Sequence, residues 1–405
     1  MKITVLSIVL ALALGVAAQA DCPAGDLNND CRVDIADLLV FAGQWLTGPD
    51  GPADLDGNGQ VDGADLALLG SDWRRQDCPI VINEVLAHAH AAASDWVELY
   101  NPSSVPVHIG GWFLSDNRND LERYQIPAGT TIEPNGYIVF YETTHFGSPF
   151  DPGVRTPFAF SENGEVVCLF SGDDAIFPNF LLSEPFGASE TGYSFGRHLK
   201  STGTYDFVTM SELTPGEANA YPLVGPVVIN EIMYHPAVDA DAEYVELLNI
   251  SGGPITLFDF VAMEPWRLTD GSGIEFRFPS DVPVTLDTDE HIVLVRDVDA
   301  MQQYAVPGEA KMFDWGSGRL ANQGETVQLL RPGDVDQRGT RYWIEVDRIG
   351  YSDGSHGEVF PDGIDPWPPE ADGLGPSLNC IFPSRYGNDP NNWHATIPTP
   401  GSVND

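Results

Sequence analysis

Lysine is almost missing from this chain of 405 residues; only Lys2, Lys200 and Lys311 occur. Lysine and arginine together number 19 against 60 aspartates and glutamates, a formal net charge of −41. So acidic a surface repels nucleic acid and anionic lipid, which excludes partners gripped through their phosphates. It attracts divalent cations instead, and it suits a salty medium that screens self-repulsion. Long apolar runs are equally scarce. After the first twenty residues no segment approaches the roughly 18 continuous apolar residues of a membrane span, so no membrane insertion is expected. His-Glu-x-x-His and the glycine-rich phosphate loop are both absent.

Cysteine is sparse too, at five residues. Cys22, Cys31 and Cys78 fall near the start, where a pairing would staple a domain too small to hold together on its core. Either Cys22–Cys78 or Cys22–Cys31 meets that need, and the spacing does not choose. Cys168, inside Val166-Val167-Cys168-Leu169-Phe170, reads as a buried strand thiol.

The apolar run Ile3 to Val16, followed by Ala18-Gln19-Ala20, has the form of a cleaved export signal over residues 1–20. A secreted, extracellular or cell-surface protein is therefore expected. Gly 41 and Pro 32 suit many turns and short strands, and the length suggests several domains.

Two internal repeats organise the rest of the chain. Asp26-Leu27-Asn28-Asn29-Asp30-Cys31-Arg32-Val33-Asp34-Ile35-Ala36-Asp37 recurs 28 residues on as Asp54-Leu55-Asp56-Gly57-Asn58-Gly59-Gln60-Val61-Asp62-Gly63-Ala64-Asp65. Each copy runs into an apolar stretch with helical spacing: Leu38, Leu39, Ala42, Trp45 and Leu46, then Leu66, Leu69 and Trp73. A twelve-residue calcium loop places oxygens at positions 1, 3, 5, 7, 9 and 12, with the seventh a backbone carbonyl. The first copy offers Asp26, Asn28, Asp30, the Arg32 carbonyl, Asp34 and Asp37. The second offers Asp54, Asp56, Asn58, the Gln60 carbonyl, Asp62 and Asp65. Gly59 fits the sharp turn at position 6, whereas Cys31 does not. Two calcium ions are the expected cofactors.

The longer repeat pairs Val81-Ile82-Asn83-Glu84-Val85 with Val228-Ile229-Asn230-Glu231-Ile232. It also pairs Asp95-Trp96-Val97-Glu98-Leu99-Tyr100-Asn101 with Glu243-Tyr244-Val245-Glu246-Leu247-Leu248-Asn249. Trp112-Phe113-Leu114-Ser115-Asp116 answers Trp266-Arg267-Leu268-Thr269-Asp270, and both copies close on Thr-Pro-Gly and an asparagine, at 214–219 and 399–404. Short strand-like runs separated by turn-formers have the spacing of an all-β sandwich.

The paired loops resemble the dockerin family over roughly Asp21 to Pro79. That resemblance implies a calcium-dependent module that docks onto a cohesin-like or other extracellular protein, as in polysaccharide-degrading assemblies. Positions 10 and 11, often Ser-Thr in that family, are Ile35-Ala36 and Gly63-Ala64 here, so the usual cohesin partner does not carry over. The Ile-Asn-Glu, Trp-Val-Glu-Leu-Tyr-Asn and Thr-Pro-Gly motifs look like the lamin-tail domain family, which implies immunoglobulin-like sandwiches with a binding or adhesive role. The second copy carries extra segments around Met312 to Asp347.

The expected fold class is thus multi-domain: a small α-helical, EF-hand-like dockerin module at 21–79, then all-β immunoglobulin-like sandwiches at 80–221 and 226–405, the second bearing insertions. The expected role is non-catalytic binding or scaffolding, with an extracellular glycan as a further possible partner and no catalytic residue assigned. Two alternatives stand beside it: a hydrolase with its site in the second β domain, and a structural envelope or matrix protein. Glu84 with Glu98, or Glu231 with Glu246, would be the acid/base pair of a hydrolase, but their recurrence inside a strand signature favours a structural role. His88-Ala89-His90 reads as plain surface, and most of Trp112, Trp266, Trp315, Trp343, Trp367 and Trp393 as core.

Overall fold

The computed structural model describes residues 23–28, 33–46, 51–73, 79–91, 93–174, 176–177, 179–361 and 363–404. The expected leader at 1–20, the cysteines Cys22, Cys31 and Cys78, and the loop residues Asp30 and Arg32 lie outside them. Among the described residues no helix is long and apolar enough to cross a membrane. The chain forms two compact units. One comprises residues up to Val81 with the segments 100–107 and 132–136, and the other the remainder.

The first unit contains helix α1, Ile35–Gln44, and helix α2, Gly63–Ser71. Its core is small: Leu27, Val33, Phe41, Ala53, Val61 and Leu69. The helical spacing of apolar residues forms two helices, but few of those residues turn inward. Phe41 and Leu69 are the buried apolar positions of the helices, while Leu39 is 68% and Leu46 75% exposed. Leu66 and Trp73 are exposed as well. Two helices of ten and nine residues with a single buried apolar side chain each cannot be held by apolar burial alone.

The second unit is a repeated β architecture. In the first copy one sheet runs, in spatial order, Tyr205–Thr209, Phe195–Leu199, Val81–Leu86, Trp96–Tyr100 and Tyr137–Tyr141. In the second copy Trp393–Thr396, Ser377–Cys380, Val227–Met233, Tyr244–Asn249 and His291–Val295 follow the same order. The opposing sheets also match: Tyr124–Gln125, Phe113–Ser115, Glu165–Phe170 and Leu181–Phe186 correspond to Glu275–Arg277, Arg267–Thr269, Gly324–Val335 and Arg341–Ser352.

The extra length of the second copy now has a shape. Lys311–Asp314 adds a sixth strand, parallel to His291–Val295, at the sheet edge. Gly324–Val335 and Arg341–Ser352 form a hairpin of two 12-residue strands. Tyr234, Trp266, Trp315, Trp367 and Trp393 fill the core between the second copy's sheets, and Trp112, Tyr124 and Phe146 are buried in the first. Trp343 instead lies on the sheet surface beneath Arg267, 4.1 Å from the ring centre. Cys168 is buried in its strand as the sequence indicated, and Cys380 is likewise buried and free.

The repeated motifs, far apart in sequence, meet in space. Glu84 and Glu98 are fully buried on neighbouring strands. Glu84 accepts from the Ser194 hydroxyl at 2.5 Å and the Thr214 hydroxyl at 2.7 Å. Glu98 accepts from the Asn83 amide at 2.7 Å and the Gly216 N–H at 2.5 Å. Asn219 donates to the carbonyls of Asn83 and Arg197. The second copy repeats the arrangement residue for residue. Glu231 accepts from Ser377 at 2.5 Å and the Thr399 N–H at 3.0 Å; Glu246 accepts from Asn230 at 2.8 Å and the Gly401 N–H at 2.6 Å; Asn404 donates to the carbonyls of Asn230 and Cys380. Each Thr-Pro-Gly ending is thereby clasped to the opening strand of its own sandwich.

Removing one partner leaves buried polar groups unpaired, at about 1–3 kcal/mol. The Asn404→Ala change should therefore lower the unfolding free energy of the second sandwich by that amount, and Asn219→Ala that of the first, measured by denaturant melts. Burial raises Glu98 from 4.5 to about 7 and Glu231 to about 6. The folded state then holds protons that the unfolded chain has released, so this contribution is complete below pH ~4.5 and is lost as pH rises through 6 to 7. The melting temperature should fall between about pH 4.5 and 7, and Glu98→Gln should flatten that fall.

Candidate functional site

The acidic loops are built around their last aspartates. Asp37 and Asp65, at position 12, are both fully buried. Asp65 Oδ1 accepts from the N–H groups of Leu55 at 2.8 Å and Asp56 at 3.1 Å, and its Oδ2 from Asp62 at 2.8 Å. Asp37 repeats this with Leu27 at 2.8 Å, Asn28 at 3.2 Å and Asp34 at 2.8 Å. The Asp62 N–H, ahead of the desolvation that opposes it, holds the Asp65 carboxyl below the usual range, so it stays ionised.

Position 9 has a role that the sequence reading did not assign. Asp34 and Asp62 are the N-caps of α1 and α2, accepting from Ala36 at 2.7 Å and Ala64 at 2.8 Å, and each forms a reciprocal capping box with the aspartate three residues on. The Asp-x-x-Asp spacing before an apolar run was the available signal.

In the second loop Asp54, Asp56 and Asp65 bring carboxylate oxygens within 4.8 Å of one another. Gly57 and Gly59, with φ of 68° and 88°, turn the backbone as a side chain would resist. Asp54 Oδ2 accepts from the Gly59 N–H at 2.9 Å, but its Oδ1 is buried with no hydrogen-bond partner. An orphaned anionic oxygen beside two other carboxylates fits a hard divalent cation, since only a cation compensates all three charges. Asn58 and Gln60 continue the loop through turn hydrogen bonds, Asn58 to Asp56 and Gln60 to Asn58. Of the first loop's expected ligands, Asp26, Asn28, Asp34 and Asp37 are described, and Asp26 is buried.

Gly-x-Ser-x-Gly, expected to be absent, is present in the sequence. Gly192-Tyr193-Ser194-Phe195-Gly196 has the Gly-x-Ser-x-Gly spacing of a nucleophile elbow. Ser194 is nonetheless fully buried and donates to Glu84, so its hydroxyl belongs to the clasp.

Between the two sandwiches lies a cavity of about 500 Å³, lined by Tyr193, Leu223, Ile250, Trp266, Ile344 and Tyr386 among others. Beside it the sandwiches are joined through Asp206, which accepts from Tyr386 and Asn388, both at 2.7 Å, and pairs with Lys200 at 3.0 Å. Burial opposes the Asp206 charge, but Tyr386 and Lys200 outweigh it and hold the carboxyl below its ordinary value.

Two mainly antiparallel sandwiches of one shared strand order, each clasped by its own ending, define an immunoglobulin-like class. The family model described as Lamin Tail Domain matches residues 75–176 and 222–353, more than half of the chain. The chain belongs to the lamin tail domain family. The match starts at residue 75, after both acidic loops. No curated protein matches the chain.

Replacing the Asp62 cap by alanine should cost about 1 kcal/mol of local stability. Hydrogen exchange at the Ala64 amide should then quicken roughly five- to tenfold, with the sandwich amides unchanged.

Proposed function

We propose that this is a secreted, non-catalytic binding and scaffolding protein whose N-terminal module docks onto a protein partner once calcium orders its loops. The unpartnered Asp54 Oδ1, facing Asp56 and Asp65, is the observation that carries this reading. Asp26, Asn28, Asp30, the Arg32 carbonyl, Asp34 and Asp37 would hold one calcium; Asp54, Asp56, Asn58, the Gln60 carbonyl, Asp62 and Asp65 the other. A module with so small an apolar core gains most from such ions.

The docking surface would be the solvent side of the helices. Ile35 at 62%, Leu39 at 68% and Leu46 at 75% exposure are large aliphatic side chains of the kind that partner proteins cover. Ile35 occupies position 10 of its loop, where the dockerin resemblance places partner contacts, so an apolar partner surface replaces the hydroxyl-reading one. An extracellular polysaccharide-degrading assembly is the setting that the dockerin-like loops favour, and the sandwiches would serve as its adhesive body. A glycan partner has weaker support, because Trp112, Trp266, Trp315, Trp367 and Trp393 are buried. Hydrolysis is disfavoured for the glutamate pairs, whose oxygens already accept from buried donors.

Calorimetric titration of the full chain with Ca²⁺ should reveal two sites, one of them lost in Asp54→Asn. Pull-down from culture supernatant should recover a protein partner in calcium, not in chelator, and not with Leu39→Glu. An absence of calcium heat would overturn the docking reading.

A further inference from the structure

Three side chains from distant segments meet where the long hairpin of the second sandwich reaches the first. His88 follows the opening strand, Glu162 lies in the turn before Glu165–Phe170, and Asp334 is near the end of Gly324–Val335. One ring nitrogen and one oxygen from each carboxylate lie within 4.8 Å of one another. The ring is oriented from behind. His88 Nδ1 is 3.1 Å from the Ser189 carbonyl oxygen, which can only accept, so in the neutral ring the proton sits on Nδ1. Nε2 then carries the lone pair; it accepts from the Thr191 hydroxyl at 2.9 Å and lies 3.6 Å from Glu162 Oε2.

A backbone carbonyl holding one nitrogen while the other faces carboxylates is how proteins aim an imidazole at a metal ion. Among the described residues no lysine or arginine forms an ion pair with Glu162 or Asp334, so nothing of that kind offsets their mutual repulsion. We propose that His88, Glu162 and Asp334 bind one divalent cation of the zinc class, which pins the hairpin of the second sandwich to the first.

The donor set sets this site apart from the acidic loops. Those offer oxygen alone, as calcium prefers, whereas one imidazole with two carboxylates suits zinc, with its fourth position left to Thr191 or water. The site lies beside existing ties between the same two parts: the Arg331–Glu190 ion pair and the Ala188–Ile344 bridge. An ion here would extend that seam along the hairpin towards its tip.

The test is a Zn²⁺ titration of the full chain in excess calcium, so that its outcome does not depend on how the acidic loops behave. One zinc per chain is expected, weakened roughly tenfold or more by His88→Ala and by Asp334→Asn. Asp334 is exposed, so its variant should keep the wild-type circular dichroism spectrum and melt. Zinc should also slow proteolytic cleavage of the 336–340 turn in the wild-type chain and leave that rate unchanged in Asp334→Asn. No zinc uptake, or uptake that survives both substitutions, overturns the proposal.

Discussion

The bond on which each sandwich depends runs from a buried carboxylate to the end of its own chain segment. Glu98 and Glu246 sit on central strands at zero exposure, yet each accepts the N–H of the glycine in a closing Thr-Pro-Gly turn. A buried carboxylate is costly unless donors surround it, and here the donors come from the opening strand and the closing turn together. Neither half of the arrangement is satisfied without the other. The same logic applies to Glu84 and Glu231, which gather hydroxyls from Ser194 and Thr214, and from Ser377 and Thr399.

That constraint explains which parts of the molecule could be read in advance. Ile-Asn-Glu, Val-Glu-Leu and Thr-Pro-Gly recur because their polar atoms must meet, so two sandwiches with equivalent strands were legible from the repeat alone. Asn101 and Asn249 belong to the same set, each donating to carbonyls of a following loop, at Val105 and at Gly253. The two short helices were legible as well, but not which of their apolar residues are buried. Periodicity reveals that a helix has an apolar side, but not whether protein or a partner covers it, and Leu39 and Leu46 face solvent. The capping duty of Asp34 and Asp62 was signalled by their Asp-x-x-Asp spacing but masked by the loop pattern, because one aspartate can serve a loop and a helix end at once. His88 looked like surface because its companions, Ser189, Thr191, Glu162 and Asp334, come from elsewhere in the chain.

The seam between the sandwiches is made differently from their cores. Asp206 anchors it through a tyrosine hydroxyl, an asparagine amide and a lysine, with Tyr386 stacked edge-on to His198 at 5.1 Å. Such directional contacts fix orientation more than they add cohesion, and they leave room for the neighbouring cavity. In so acidic a chain, the few cations are placed where they matter: Lys200, Arg331 and Arg348 all lie along this seam.

The closing turns also impose an order on synthesis. Thr399, Gly401 and Asn404 complete the polar interior of strands made roughly 155–174 residues earlier. Until they arrive, Glu231 and Asn230 lack their final partners, so a chain cut a few residues short would carry unmet hydrogen bonds at its centre. The second sandwich thus keeps its first strand unfinished until its own closing turn is in place.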